Sequence, residues 1–326
     1  MITQKDIAKI AKVQQSTVSD ALNDRYGSKA ITEKKRAYIK KIAREIGYQV
    51  DDMARSIRTG KTKVIAYFHS KIHEDSWYGI TKAAEDKGFL VKAFYISYLD
   101  KEQHKKYGQM CVSQRIAGAI FHHAKKGATD LQNFLEQQNI PVAITSGEKP
   151  FPCISVVSDD YFGGTLAASH LLQVGYRKFA VTSPSGFLTQ TRVKGFCDEM
   201  EKNGIHIPKH MIMQHEHHES VKAYLRNILQ DPAKCPEAIF CASSCNPLIG
   251  VMNSLRLKMP DDLAVVDYGN SNASEYYFDV TSVREKNFDI GRRCCELLID
   301  KIAGKLDGEV HEKYPVELII RKSTAR

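Results

Sequence analysis

The sequence predicts an all-α helix-turn-helix headpiece followed by a larger, two-lobed α/β domain. Three observations lead there. At 326 residues the chain exceeds one small domain and fits two or three globular units. Apolar residues recur at three- and four-residue spacings up to Ile46, and from Val64 onward the pattern becomes short apolar strands alternating with amphipathic helices. Residues 1–63 hold 15 Lys and Arg against 7 Asp and Glu, which is almost all of the net charge of +9.

Composition narrows the class. Hydrophobic content of 43% and charged content of 26% are ordinary for a soluble protein. No stretch approaches the roughly 18 apolar residues of a membrane span, and the start Met1-Ile2-Thr3-Gln4-Lys5-Asp6 has no secretory h-region, so the expected location is the cytoplasm. In that reducing compartment the eight cysteines (111, 153, 197, 235, 241, 245, 294 and 295) read as small buried hydrophobes. Cys241 and Cys245 alone lack the paired spacings of a zinc site, and neither metal nor cofactor is expected. The basic first fifth favours a polyanion partner, because neutralised phosphates release counterions.

In the headpiece, Ile7, Ile10 and Ala11, then Val13, Val18, Ala21 and Leu22, form two short helical stripes broken around Lys12 to Gln14. Thr3 caps the first helix, with Asp6 completing a capping box and placing negative charge at the positive end of the helix dipole. Asn23, Asp24 and Gly27 end the second helix. A third begins at Thr32 and stops at Gly47. The second helix carries Gln15, Ser16, Thr17 and Ser19 on its early turns, short polar groups suited to base edges and phosphates in a major groove. It is the candidate recognition helix, and Thr3, Asp20 and Asn23 complete the candidate DNA-binding set of the headpiece.

The string DIAKIAKVQQSTVSDALN, then GY at 47–48, then ARSIRTGKT at 54–62, in this order and spacing, resembles the lactose-repressor (LacI/GalR) family. The resemblance continues through VVSDDYFGGTLAASHLLQVGYRKFAV at 156–181, RVKGFCDEMEKNGI at 192–205, LAVVDYGN at 263–270 and PVELIIRKSTAR at the C-terminus. It implies a headpiece at 1–49, a hinge helix and linker at 50–62, and a periplasmic-binding-protein-like effector and dimerisation domain at 63–326. Its N-lobe is expected at about 63–160 and 286–314 and its C-lobe at about 161–285 and 315–326, with crossings near 160, 285 and 315. The implied hinge helix, 51–59, orders on operator DNA, where Ile57 wedges a base step from the minor groove, Ala54 allows close approach, and Arg55 and Arg58 reach phosphates.

Candidate strands of the second domain are 64–68, 90–95, 119–122, 141–145, 179–182, 238–241 and 263–268, separated by helical runs such as 76–87, 128–138, 163–173, 192–203 and 289–302. Such alternation gives parallel sheets, whose ligands sit at the carboxyl ends of the strands. There the sequence offers His69, Ser70, His122, His123, Thr145, Ser146 and Asp160, with Phe187 as an apolar wall. By the resemblance, Arg192 matches an arginine that grips ligand oxygens with its planar fork. Gly163 and Gly164 read as close packing at a helix start, since no dinucleotide or Walker pattern surrounds them. No catalytic set stands out, so no enzyme is expected.

Two departures from the family bear on the ligand. Acids usual at two strand ends are absent, where Asn246 and Asn270 stand instead, with Asp267 near the second. Their loss weakens the case for a plain sugar, and histidines 69, 122, 123, 215, 217 and 218, if gathered in the cleft, would suit a sugar phosphate or, less well, a metal. The expectation is thus a homodimeric repressor of double-stranded operator DNA, gated by a small molecule such as a sugar, sugar phosphate or related metabolite, with no membrane partner. The absence of a heptad tail after the last strand favours a dimer. Three alternatives are a regulator governed by a partner protein over a vestigial cleft, a solute-binding protein, which the headpiece argues against, and a metal-dependent enzyme.

A third departure bears on the operator. Asp20 stands where the family commonly has a guanine-reading arginine; a carboxylate cannot pair with guanine O6 and N7 but accepts from cytosine N4. Operators selected from random DNA by the wild type and by Asp20→Arg should therefore differ in consensus, the variant gaining a guanine; identical consensus sequences would contradict this.

Overall fold

The computed structural model describes residues 2–22, 31–48, 62–97, 99–122, 126–147, 153–215 and 217–325. The chain divides into two compact units, Met1–Thr62 and Lys63–Arg326. The expected hinge helix at 51–59 lies outside the described residues.

The first unit contains α1 (Gln4–Ala11), α2 (Gln15–Leu22) and α3 (Glu33–Glu45). Helices of 8 residues are too short to persist alone, so their stability comes from caps and a shared core. The backbone N–H and the hydroxyl of Thr3 both donate to Asp6 Oδ2, at 2.8 and 2.7 Å. The Thr3 hydroxyl bond is the main reason that the Asp6 carboxyl lies below its usual range. Lys12 then adopts a left-handed φ of 51° and Val13 N–H returns to Ala8 O at 3.0 Å, which makes the tight turn into α2. Thr32 caps α3 by accepting from Lys35 N–H at 3.3 Å, and Gly47, at φ +69°, ends it in a conformation that suits glycine. Ile7, Val18, Ala21, Ile39, Ile42 and Ala43 form the core. Ile10, although within the apolar stripe of α1, is 51% exposed, because the core of so small a bundle closes on Ile7 and Ala11.

The second unit opens with β1 (Val64–His69), α4 (Glu74–Asp86), β2 (Leu90–Tyr95), α5 (Lys101–Ser113), β3 (Gly118–His122), α6 (Thr129–Gln137), β4 (Val142–Ile144) and β5 (Ile154–Ser158). It continues with α7 (Asp160–Val174), β6 (Phe179–Pro184), α8 (Phe187–Lys202), β7 (Ile212–His215), α9 (His218–Gln230), β8 (Ala238–Cys241), α10 (Asn246–Leu255), β9 (Ala264–Tyr268) and β10 (Thr281–Arg284). It ends with α11 (Asn287–Ile302), β11 (Val310–Tyr314) and β12 (Glu317–Ile319). One sheet has the order β11-β5-β4-β3-β1-β2 and is parallel throughout; the other runs β12-β10-β9-β8-β6-β7 and is parallel except for β12, antiparallel on β10. The chain therefore passes between the sheets three times, after β5, after β10 and after β11.

Parallel strands covered on both faces need apolar side chains on both. In the N-lobe, Ile65, Tyr67, Ile120 and Ile154 pack with Ile80, Ile290 and Leu298 of α4 and α11, while Ala66, Phe68, Phe121 and Val142 pack with Cys111, Leu131 and Leu135 of α5 and α6. The C-lobe core includes Phe196 of α8 stacked on Phe240 of β8 at 4.7 Å between centroids. The C-terminal residues lock this lobe: Ser323 Oγ donates to Val265 O at 2.6 Å, and Thr324 Oγ1 lies 2.8 Å from both His170 Nε2 and Thr281 Oγ1. All eight cysteines are free thiols, six of them buried.

One helix pair in each lobe meets backbone to backbone. A Cβ on Gly79 would lie 2.1 Å from Phe288 O and one on Gly291 2.3 Å from Ser76 O, so α4 and α11 touch only because both positions lack side chains. Gly79→Ala should overpack this contact, costing about 1–3 kcal/mol and lowering the thermal midpoint by about 2–4 °C for each kcal/mol; an unchanged midpoint would show that the helices separate freely.

Candidate functional site

Two groups of side chains stand out, one in each unit. On the headpiece, Val18 and Ala21 turn α2 onto the core, which leaves Gln15 and Ser16 exposed and Thr17, Ser19 and Asp20 half-buried. Thr3 is exposed at the start of α1. The Arg36 Nη1 of α3 donates to Asp20 O at 3.5 Å, so the backbone at the end of α2 is tied to α3. Lys5, Lys9, Lys12, Lys34, Lys35, Lys41 and Arg44 are exposed around this module. Asn23, Ala54, Arg55, Ile57 and Arg58 lie outside the described residues.

In the larger unit the site is built where strands end and the chain crosses between lobes. Arg192, on α8, is buried yet carries three hydrogen bonds: Nε to Asp160 Oδ1 at 2.6 Å, Nη1 to Ala242 O at 3.3 Å and Nη2 to Glu285 Oε1 at 3.2 Å. Its guanidinium lies 3.7 Å from the Tyr268 ring centroid, close enough for a strong cation–π contact. Glu285 Oε1 also accepts from Ser158 Oγ at 3.0 Å, so the network reaches from the end of β5 to the segment after β10. The glycines at 163 and 164 make this geometry possible. A Cβ on Gly163 would strike the Tyr268 ring at 2.5–2.9 Å, and one on Gly164 would lie 2.0 Å from Arg192 O. Burial opposes the Arg192 charge, but Glu285 and Asp160 outweigh it and raise its pKa further. Burial pushes the Asp160 carboxyl up despite Arg192, and pushes the Tyr268 phenol well up.

The N-lobe strand ends carry the histidines. His69 of β1 and His122 of β3 are register partners on parallel strands, both buried. His122 Nδ1 bonds Thr145 Oγ1 at 2.8 Å, beyond the end of β4, and its ring centroid lies 6.0 Å from that of His73, the cap of α4. Asn287, at the start of α11, is 3.5 Å from His73 Nε2. Burial lowers the His69 pKa, which favours its neutral form. Its Nδ1, that of His73 and the Ser76 hydroxyl are buried without a hydrogen-bond partner. Ser70 and Ser146 are half-buried beside these strand ends. His123 and the Phe187 side chain lie outside what the structure describes.

The other candidates are placed differently. Asn270 is half-buried and engaged: its Nδ2 donates to Glu275 Oε2 at 3.2 Å and its Oδ1 accepts from Arg321 Nη2 at 2.7 Å. Asn246 is exposed at the start of α10. Asp267 is fully buried, accepting from Ser274 Oγ and from Cys245 Sγ at 3.4 Å. His215 ends β7, the edge strand of the C-lobe sheet, and His217 caps α9, so neither joins the N-lobe histidines; the His218 side chain lies outside the description. The sequence reading missed Glu285, Ser158, Tyr268 and His73. The only signal for Glu285 was its position at an expected crossing.

Comparison with known proteins fits this architecture. Residues 3–51 match the family described as bacterial regulatory proteins, lacI family, and residues 168–324 match a periplasmic binding protein-like domain. The repressor PurR of Pasteurella multocida (strain Pm70), an HTH-type transcriptional repressor, is 26% identical over 339 residues, covering 99% of this chain and 98% of its own. The chain thus carries a lacI-family DNA-binding domain ahead of a periplasmic binding protein-like domain. The lacI-family relative of the same name from Haemophilus influenzae is 26% identical over 336 residues, with 99% of this chain and 98% of that protein covered. Among solved structures, a lac repressor dimer bound to operator and the anti-inducer ONPF superposes with a TM-score of 0.79 at 19% identity, covering 100% of this chain and 99% of that one. A complex of the transcriptional regulator CelR with cellobiose gives 0.72 at 22% identity, covering 99% and 100%. At these identities the two structures speak for the fold.

Asp267 yields a pH prediction. Burial is the largest influence on its carboxyl and raises it above 3.8, against the pull of the Ser274, Ser282 and Cys245 donors. The unfolded chain then loses this proton first, so the folded state binds more protons between the ordinary and the raised value, and stability falls as pH rises through that window. Asp267→Asn removes the contribution. The unfolding free energy of the variant relative to wild type should rise as pH increases from about 4; a difference independent of pH would contradict it.

Proposed function

We propose that the chain is a transcriptional repressor that binds operator DNA as a homodimer in the cytoplasm, its DNA affinity set by a small molecule held between the lobes. The observation that carries the reading is the polar first turn of α2, with Gln15 and Ser16 exposed, on a basic three-helix module within the lacI-family match. In this reading each headpiece reads half of a roughly palindromic site in the major groove, and the paired hinges enter the minor groove at its centre through Ile57. The lac repressor solved as a dimer on operator supports the dimeric form, and the cellobiose complex of CelR supports a small-molecule ligand.

The effector region proposed here is the set of strand ends around His69, Ser70, His122 and Thr145 on the N-lobe, with Asp160 and Arg192 on the C-lobe side, His123 and Phe187 as further candidates, and Asn246 and Asn270 at the margin. A ligand there acts through its differential affinity for two lobe arrangements, only one of which lets the hinges pair. No catalytic role is assigned to these residues; their work is binding and positioning.

The phosphate contacts supply the direct test of the DNA arm. On a selected operator, Arg55→Ala and Arg58→Ala should each weaken binding about evenly across operator sequences and reduce the slope of log affinity against log salt by about 1. Unchanged slopes would remove the hinge from the interface.

A further inference from the structure

Arg192 is the side chain best suited to hold an anionic effector, and three of its five N–H donors are already in use, two of them on carboxylates. A carboxylate or phosphate takes a guanidinium through two adjacent N–H groups on one edge. Here Nε is held by Asp160, Nη2 by Glu285 and Nη1 by Ala242 O, while Tyr268 covers a face of the group. Glu285 is itself steadied by Ser158 at 3.0 Å. An incoming anion at the Nε–Nη2 edge would have to evict a carboxylate of the protein from a buried position, leaving that carboxylate without its partner, and one at the remaining N–H groups would meet a cation whose charge Asp160 and Glu285 already offset.

We infer that Glu285 is a built-in anion that occupies Arg192, so that this cleft takes an uncharged effector and rejects carboxylates and phosphates at its C-lobe wall. The inference rests on the interlobe reading of the effector site and narrows its ligand class. The opposite wall agrees: His69 is biased toward the neutral form by burial, and a neutral imidazole offers one donor and one acceptor without charge. Nearby Arg284 is paired with Glu317 at 2.6 Å. The loss of the two acids usual at the family's strand ends is then no sign of an anionic ligand.

The test uses the full chain, with sodium formate and inorganic phosphate as probes and sodium chloride at matched ionic strength as control. The wild-type thermal midpoint should move no further with formate or phosphate than with chloride. Glu285→Ala should melt lower, and formate, which fits the vacated carboxylate position, should restore a saturable part of the loss. Glu285→Gln, which keeps the shape, should gain nothing from formate. Saturable stabilisation of the wild type by phosphate, abolished in Arg192→Met, would overturn the inference, as would a folded Glu285→Ala that formate does not rescue. Should Glu285→Ala not fold, the wild-type comparison with Arg192→Met still decides. Operator binding measured alongside separates this outcome from the DNA-binding reading, because the rescue needs no DNA.

Discussion

A buried guanidinium must be paired, and the larger unit is arranged around meeting that demand for Arg192. An arginine removed from water without partners would cost several kcal/mol. Its partners come from the start of α7, the residue after β8 and the segment between β10 and α11, elements far apart in sequence. Through Glu285 and Ser158 the same network touches two of the three places where the chain leaves one sheet for the other. In the proposed reading, lobe position and side-chain pairing are coupled: a change of the angle at the crossings would alter the distance between Glu285 and Arg192, and a ligand that perturbs this pairing would act on lobe closure.

Glycine determines how close the supporting helices come. Gly164 and Gly195 let α7 and α8 meet so tightly that Arg192 reaches Asp160, and Gly79 and Gly291 do the same for α4 and α11 beneath His73. Each lobe thus presents the start of a closely packed helix pair to the strand ends. Fixed backbones of this kind suit a site that has to distinguish small ligands, since side chains placed by packing lose little further freedom on binding.

Much of this was legible in the sequence, for physical reasons that also mark where legibility stops. The Thr3–Asp6 cap, the break at Lys12 and the glycine stop at 47 are local signals and appear as read. Central strands such as Ala238–Cys241 are buried on both faces and announce themselves as apolar runs. Other strands give no such signal: at the edges, Val310–Tyr314 alternates charge with half-buried apolar groups and Ile212–His215 ends in polar residues. The interior strands Ile154–Ser158 and Thr281–Arg284 are short and interrupted by Ser and Thr, whereas the edge strand Leu90–Tyr95 is legible. Helix Lys101–Ser113 hides its inner face behind His104, Gly108 and Cys111. At the site, a motif pointed to Arg192, but its pairing with Glu285 joins residues 93 positions apart, which no local pattern encodes. The histidines separated in the same way, three converging on the N-lobe strand ends while His215 went to the far edge of the other sheet.

Control of DNA binding from the larger unit is the central claim, and it is tested most directly by measuring operator affinity of the full chain with and without a saturating small molecule. The ligand is found by thermal-shift screening of sugars, sugar phosphates, nucleobases and divalent metals. The account predicts that an uncharged hit changes operator affinity several-fold or more, in proportion to its differential affinity for the two lobe arrangements. A ligand that saturates the protein and leaves operator affinity unchanged, or a screen in which no compound stabilises the protein, would contradict it and transfer control to a partner protein.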